Sequence, residues 1–134
     1  MPNTQAPLAA EIILQAAALH QKGDLANAAR LYESVLELDP QHFDVRHLLA
    51  AVSAAQGKFE EAIAHYDKAV SLQPRNAVAV HNRGKVALAL NRVDEAMADF
   101  ERALVLKPDF AEALCSFGNA LAFQKRYDEA VALL

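Results

Sequence analysis

The sequence predicts an all-α fold built from stacked pairs of antiparallel helices, and three observations predict it. Pro40, Pro74 and Pro108 recur every 34 residues. Small residues and aromatic residues recur in register with these prolines, at spacings of three and four that place them on one face of a helix. A fixed period of this length is typical of one supersecondary unit stacked on copies of itself.

The prolines set the boundaries of the repeats. With proline as position 32 of each unit, the repeats span residues 9–42, 43–76 and 77–110, a truncated fourth spans 111–134, and residues 1–8 form an N-terminal lead. Each repeat contains a first helix (helix A), a tight turn and a second helix (helix B). The chain is therefore expected to have seven helices and part of an eighth.

A turn is predicted at positions 14 to 17 of every repeat. Gly23, Gly57 and Asn91 suit the left-handed conformation that ends a helix, whereas Lys125 fits it less well. The predicted turns cover residues 22–24, 56–58, 90–92 and 124–126. Helix B should then end where the proline interrupts it, just after Leu38, Leu72 and Leu106.

Small and aromatic residues predict how the two helices of a repeat pack. Positions 8 and 20 carry alanine or glycine, which lets helix backbones approach closely. Position 24 carries an aromatic residue in three repeats, which fills the space beside them. Position 20 is Ala28, Ala62, Ala96 and Ala130, and position 24 is Tyr32, Tyr66, Phe100 and Leu134.

This combination of period, alanine, aromatic residue and proline resembles the tetratricopeptide repeat, over residues 9–134. The resemblance implies a right-handed α-solenoid whose A helices line a concave groove, and a non-catalytic role in protein–protein interaction or as a scaffold. Arg46 departs from the pattern, because it occupies a core column where the family has a large apolar residue. Its stem is expected to pack while its head group reaches solvent.

By the same resemblance, positions 2, 5, 6, 9, 12 and 13 of helix A face the groove. We expect a peptide there, because the amides of Asn82 and Asn119 can pair with both backbone donors and acceptors. Leu48 and Ile13 would anchor its apolar side chains. The predicted groove residues are Ile13, Asp44, His47, Leu48, Val78, His81, Asn82, Lys85, Glu112, Cys115, Ser116 and Asn119.

Similar arrays have two specialised functions that differ from general protein binding. A clamp for chaperone tails needs lysine at position 5 and asparagine at position 9, where the first repeat has Ile13 and Ala17, so no such clamp is expected. The alternative function is substrate recognition for a larger enzyme, such as the glycosyltransferase that adds N-acetylglucosamine to protein Ser and Thr. That array has asparagine at position 6, and Asn82 alone matches.

Charge and composition argue against some classes of binding partner. The net charge is −4, with no basic stripe to neutralise a phosphate backbone, so no nucleic-acid partner is expected. The single cysteine, Cys115, suits a reducing compartment, and we expect a cytoplasmic protein. No signal peptide or membrane span is recognisable, so no membrane partner is expected.

The apolar end at residues 131–134 indicates a fragment of a longer array, or self-association through an uncapped C-terminal face.

No cofactor, metal ion or catalytic site is expected. His47, His81 and Cys115 form a column, but neighbouring A helices stand ~8–10 Å apart and zinc ligands lie ~2.0–2.3 Å from one ion. None of the common nucleotide-binding or catalytic motifs occurs. His42 and His65 fall outside the groove columns and are expected to be solvated.

Overall fold

The structure is a computed structural model that describes residues 5–132. Within that range all regular secondary structure is α-helical. In the same range seven helices follow one another: α1 (Gln5–Lys22), α2 (Leu25–Leu38), α3 (Phe43–Ala55), α4 (Phe59–Leu72), α5 (Ala77–Ala89), α6 (Val93–Leu106) and α7 (Ala111–Ala132). The chain divides into two compact units, one ending at Leu72 and the other beginning at Gln73.

The first three predicted helix pairs are confirmed. They are α1 with α2, α3 with α4, and α5 with α6, and the two helices of each pair pack against each other. The B helices end at Leu38, Leu72 and Leu106, each two residues before a proline. α1 begins at Gln5, so the last residues of the predicted N-terminal lead belong to this helix.

The three turns between paired helices have the backbone conformation that the sequence predicts. Gly23, Gly57 and Asn91 have φ angles of +85°, +76° and +60°. Glycine takes this conformation without steric cost, and asparagine tolerates it better than most residues. These residues therefore let helix A stop and helix B return antiparallel beside it.

The columns at positions 20 and 24 are confirmed wherever the structure describes their side chains, whereas Gly118 of the position-8 column is exposed. Ala28, Ala62 and Ala96 are fully buried, and so are Tyr32 and Phe100. Tyr66 is almost fully buried as well, and this burial raises its pKa to about 12. The last members of the two columns, Ala130 and Leu134, fall outside the described side chains.

The fourth repeat differs from the prediction. No turn forms at residues 124–126, and α7 continues from Ala111 to Ala132 as one helix of 22 residues. The sequence offers a physical reason, because Lys125 stands where the other repeats have Gly23, Gly57 and Asn91. A lysine in the left-handed conformation would be strained, whereas it is favourable inside a helix.

Two side-chain caps at the starts of A helices were not predicted. The Nδ1 atom of His42 accepts a hydrogen bond from the Val45 backbone N–H at 3.2 Å, at the start of α3. The side chain of Asn76 accepts one from the Ala79 N–H at 3.1 Å, at the start of α5. His42 is half-buried, so the prediction that it is simply solvated was wrong. Its ring satisfies a backbone donor that the first helical turn leaves unpaired.

Candidate peptide-binding surface

Four of the twelve predicted groove residues lie in the first unit. Ile13 and Leu48 are half-buried and pack against the core that contains Tyr32 and Leu49. Asp44 is exposed in the first turn of α3, and His47 is half-buried on the same helix. The two apolar residues are therefore partly used by the core of this unit.

His47 packs between two aromatic rings. Its ring centroid lies 5.5 Å from that of Phe43 and 5.6 Å from that of Tyr66, the latter in an edge-on arrangement. Burial lowers the pKa of His47, and the nearby Asp44 carboxylate opposes this effect. At neutral pH the ring is therefore an uncharged member of an aromatic cluster.

The other eight predicted residues lie in the second unit, on two helices that contact each other, α5 and α7. Seven of them reach the surface: Val78, Asn82, Lys85, Glu112, Cys115, Ser116 and Asn119. Asn82 and Ser116 are half-buried, and the other five are exposed. We call these seven residues the α5–α7 surface. That this set and the residues of the first unit form one groove stays a prediction.

The eighth residue, His81, lies beneath this surface and is only 2% exposed. Its Nε2 atom and the Ser116 Oγ are joined by a hydrogen bond of 2.8 Å, which links α5 to α7. Its ring also lies 5.0 Å from the ring of Phe110 and 5.7 Å from that of Phe100. His81 therefore holds the two helices together rather than offering its ring to a ligand.

Burial lowers the pKa of His81, and the neighbouring Lys85 lowers it further, while Glu112 raises it. The Nδ1 atom is buried and has no hydrogen-bond partner in the described part of the chain. A protonated ring would carry an N–H at this position, desolvated and without an acceptor. The fold therefore favours the neutral ring.

An ion pair supports α5 from its other side. The Nε and Nη2 atoms of Arg83 donate to the two carboxylate oxygens of Asp99 at 2.9 and 2.8 Å, joining α5 to α6. Both side chains are mostly shielded from water, and such paired hydrogen bonds fix the geometry of the two groups. Sequence reasoning missed this pair, because its members lie 16 residues apart with no motif to connect them.

A second polar pair corrects one prediction in the first unit. The Nη1 atom of Arg46 lies 3.4 Å from Nδ1 of His65, and its Nη2 atom donates to the Pro40 carbonyl oxygen at 3.3 Å. His65 is half-buried and contacts a guanidinium, so the prediction that it is solvated was wrong. The Arg46 head group lies among local acceptors, and its Nε atom is buried with no hydrogen-bond partner among the described residues.

The described residues were compared with what a metal site and a membrane-spanning helix require. Across residues 5–132 no three histidine, cysteine or acidic side chains cluster closely enough to hold a metal ion. None of the helices in that range combines the length and apolar character needed to cross a membrane.

Comparison with known families identifies the class of protein. A family model described as tetratricopeptide repeat matches residues 19–82 and 53–98, and a second, described as TPR repeat, matches residues 84–125. The chain belongs to the tetratricopeptide repeat family. No curated protein sequence matches it.

Solved structures show the same all-α solenoid of helix pairs. The first TPR domain of Spaghetti (RPAP3), bound to the HSP90 peptide SRMEEVD, superposes with a TM-score of 0.84 at 24% identity, over 87% of this chain and 93% of that one. The TPR domain of Arabidopsis OM64 gives a TM-score of 0.80 at 24% identity, over 85% and 94%. A mutant O-GlcNAc transferase of Thermobaculum terrenum gives 0.82 at 26% identity, over 90% of this chain but 23% of the enzyme.

Proposed function

We propose that this chain is a non-catalytic protein-interaction module that binds an extended peptide on the α5–α7 surface. One observation carries the proposal: two contacting helices present amide, hydroxyl and charged groups side by side. Asn82 and Lys85 lie three residues apart on α5, and Ser116 and Asn119 lie three apart on α7, so each pair shares a helix face. A peptide laid across both helices would meet hydrogen-bonding groups from each.

The chemistry of these groups suits a peptide backbone. An extended segment has a donor and an acceptor at each residue, and an asparagine amide can satisfy both. The exposed Val78 offers an apolar contact beside them, and Lys85 offers a positive charge to a carbonyl or carboxylate. The hydrogen bond between His81 and Ser116 holds the two helices in place, which reduces the ordering cost of binding.

The solved peptide complex of the RPAP3 domain supports the proposal, since that protein has the same fold and is bound to a peptide. The first repeat has Ile13 and Ala17 where a chaperone-tail clamp needs lysine and asparagine. We therefore expect a peptide chosen by backbone contacts and apolar side chains rather than by a C-terminal carboxylate.

Peptide display followed by substitution tests the proposal. Peptides selected from a randomised display library by the wild-type chain would be titrated against Asn119→Ala and against Asn82→Ala with Asn119→Ala. We expect the double variant to lose at least tenfold in affinity, since two neutral hydrogen bonds contribute ~1 kcal/mol each. Gln21→Ala, an exposed amide of the first unit, is the matched control and should bind normally. Equal affinity of the double variant would refute this placement.

A second candidate is a substrate-recognition segment of a larger enzyme. The similarity to the O-GlcNAc transferase favours it, at 26% identity over 90% of this chain. Against it, Asn82 alone matches the asparagines of position 6. The gene sequence beyond Leu134 separates the two: a glycosyltransferase domain there would favour recognition of enzyme substrates, and further repeats or a stop codon would favour the interaction module.

We further propose a cytoplasmic protein that binds neither nucleic acid nor membranes, on the basis of its single cysteine and its net charge of −4. Cell fractionation tests the location, and recovery in a membrane fraction would contradict it.

Self-association is a separate proposal, supported by Leu121 and Val131, which are exposed on α7. Light scattering over a concentration series tests it, and a monomer at all concentrations would exclude it.

A further inference from the structure

The C-terminal half of α7 forms a cleft with the start of α6. α7 has 22 residues where the corresponding helix α5 has 13, because its predicted turn does not form. Phe123, Tyr127 and Asp128 of this extended half line an open cleft of about 580 Å³. Val93 and Asp94, in the first turn of α6, line its other side. This cleft is separate from the α5–α7 surface, with which it shares no residue.

The apolar part of the cleft is incompletely covered. Phe123 is 46% exposed and Tyr127 is 63% exposed, although aromatic side chains gain most when they are buried. Tyr127 occupies position 17, where Leu25, Phe59 and Val93 of the other repeats are half-buried. Two neighbouring aromatic rings open to solvent are typical of a binding surface.

The charged part of the cleft is entirely acidic. Asp94 and Asp128 are both exposed, and neither forms an ion pair within the described part of the chain. No lysine or arginine of residues 5–132 belongs to the lining. Lys125 lines an adjoining pocket instead, which also contains Glu129 and shares Gln124 and Asp128 with the cleft. A guest with a positive charge would therefore meet two carboxylates without a competing cation in the cleft.

We propose that this cleft binds a segment of a partner protein that carries an arginine beside apolar side chains. The guanidinium pairs with the carboxylates of Asp94 and Asp128, whose planar geometry it matches. The ring of Tyr127 offers the same group a cation–π contact. The flanking apolar side chains cover Phe123 and Val93, which removes exposed apolar area from water.

Designed peptides test the proposal on the intact chain. The probe is an acetylated and amidated nine-residue peptide of alternating leucine and arginine, and its matched control replaces each arginine with glutamine. Binding is measured by calorimetry at low salt and mapped by NMR on the backbone amides. We expect shifts confined to residues 91–94 and 123–128. We also expect at least tenfold tighter binding of the arginine peptide than of the glutamine peptide.

Charge-removing variants separate a specific site from general attraction to an acidic chain. Asp94→Asn with Asp128→Asn should weaken binding of the arginine peptide at least tenfold. Asp109→Asn with Glu101→Gln removes the same charge from exposed positions outside the cleft and should change affinity less than twofold. Circular dichroism confirms that both variants keep their helices.

Four results would overturn the proposal. They are undetectable binding of the arginine peptide, equal binding of the glutamine peptide, equal loss of affinity in both double variants, and shifts that map to Asn82 and Asn119 instead. The last result would place the peptide on the α5–α7 surface and leave the proposed function standing. Loss of the display-selected peptide in Asn82→Ala with Asn119→Ala concerns the α5–α7 surface alone, so the two proposals fail separately.

Discussion

At the scale of single residues, Gly84 shows how a small side chain sets the distance between paired helices. A Cβ atom at this position would lie 2.7 Å from Cε1 of Phe100 and 3.0 Å from Cβ of Asp99. Gly118 stands at the same position of the fourth repeat, and a Cβ atom there would meet nothing within 4 Å among the described residues. The same column of the sequence is therefore tightly packed in one repeat and open in another, because α7 continues as one helix where the other repeats turn back.

This difference gives a matched pair of substitutions. Gly84→Ala should destabilise the chain, because overpacking a close contact costs ~1–3 kcal/mol, of which the better helix propensity of alanine returns at most ~1 kcal/mol. Gly118→Ala should be neutral or stabilising, since only the propensity term remains. Urea denaturation monitored by circular dichroism measures both. Equal stability of the two variants would show that Phe100 moves aside without cost.

The capping residues at position 34 show where single residues could have been predicted better. This column reads His42, Asn76 and Phe110, and its first two members accept a backbone N–H at the start of the next A helix. Asparagine is a preferred capping residue, so Asn76 was recognisable from the sequence. His42 was not, because histidine caps only when one ring nitrogen is free to accept.

At the scale of helices and turns, the left-handed residues decide where a helix pair forms. Three repeats have glycine or asparagine at the turn, and in all three the chain reverses. The fourth has Lys125, and α7 continues through that position. The poor fit of Lys125 to the left-handed turn was visible in the sequence. The regular period of the repeats nevertheless favoured a fourth turn, and that prediction was wrong.

Gly57 tests the requirement directly. With φ at +76° and no described atom within 4 Å of an added Cβ, Gly57→Ala introduces backbone strain without a clash. We expect a loss of ~1–2 kcal/mol in the free energy of unfolding, the cost of this conformation for a residue with a Cβ atom. Gly57→Asn should lose less, because asparagine visits the conformation more readily. Thermal and urea unfolding would measure the order, and an alanine variant as stable as wild type would contradict it.

At the scale of the whole molecule, three histidines make stability depend on pH. The pKa values of His47, His65 and His81 are all lowered, in each case mainly by burial. Nearby cations lower two of them further, Arg46 for His65 and Lys85 for His81, whereas nearby carboxylates act in the opposite direction: Asp44, Glu33, Glu61 and Glu112. As the pH falls, each of these histidines is therefore protonated in the unfolded chain at a higher pH than in the folded chain.

The sign of the effect follows from this order. Well above the unfolded pKa of 6.5 the three histidine rings are neutral in both the folded and the unfolded state, and protonation costs the folded state nothing. As pH falls below 6.5 the unfolded state takes up protons first, so the folded state is destabilised by at most ~1.4 kcal/mol per pH unit for each histidine. The loss ends once pH passes the lowered folded values.

Urea unfolding at about pH 7.5 and about pH 5.5 measures this loss, above the range where ordinary carboxyl groups titrate. We expect lower stability at the acidic pH, and a smaller difference for His81→Gln, which removes the most buried of the three rings. Gln21→Ala removes an exposed side chain that carries no proton equilibrium, so this control should keep the full wild-type difference. Stability that is equal at the two pH values would contradict the assignment of neutral rings.

The sequence by itself determined the repeat period, the three helix pairs, their turns and their buried columns. These features depend on contacts between positions at fixed spacing. A repeat period makes such positions recognisable in a single sequence. Tertiary structure alone decided that His81 is buried beneath Ser116 and that Arg83 pairs with Asp99, and only the structure showed that α7 continues past Lys125 as one helix. These outcomes depend on which side chains from distant positions meet in space, and on the balance between helix propensity and a turn, which the period does not encode.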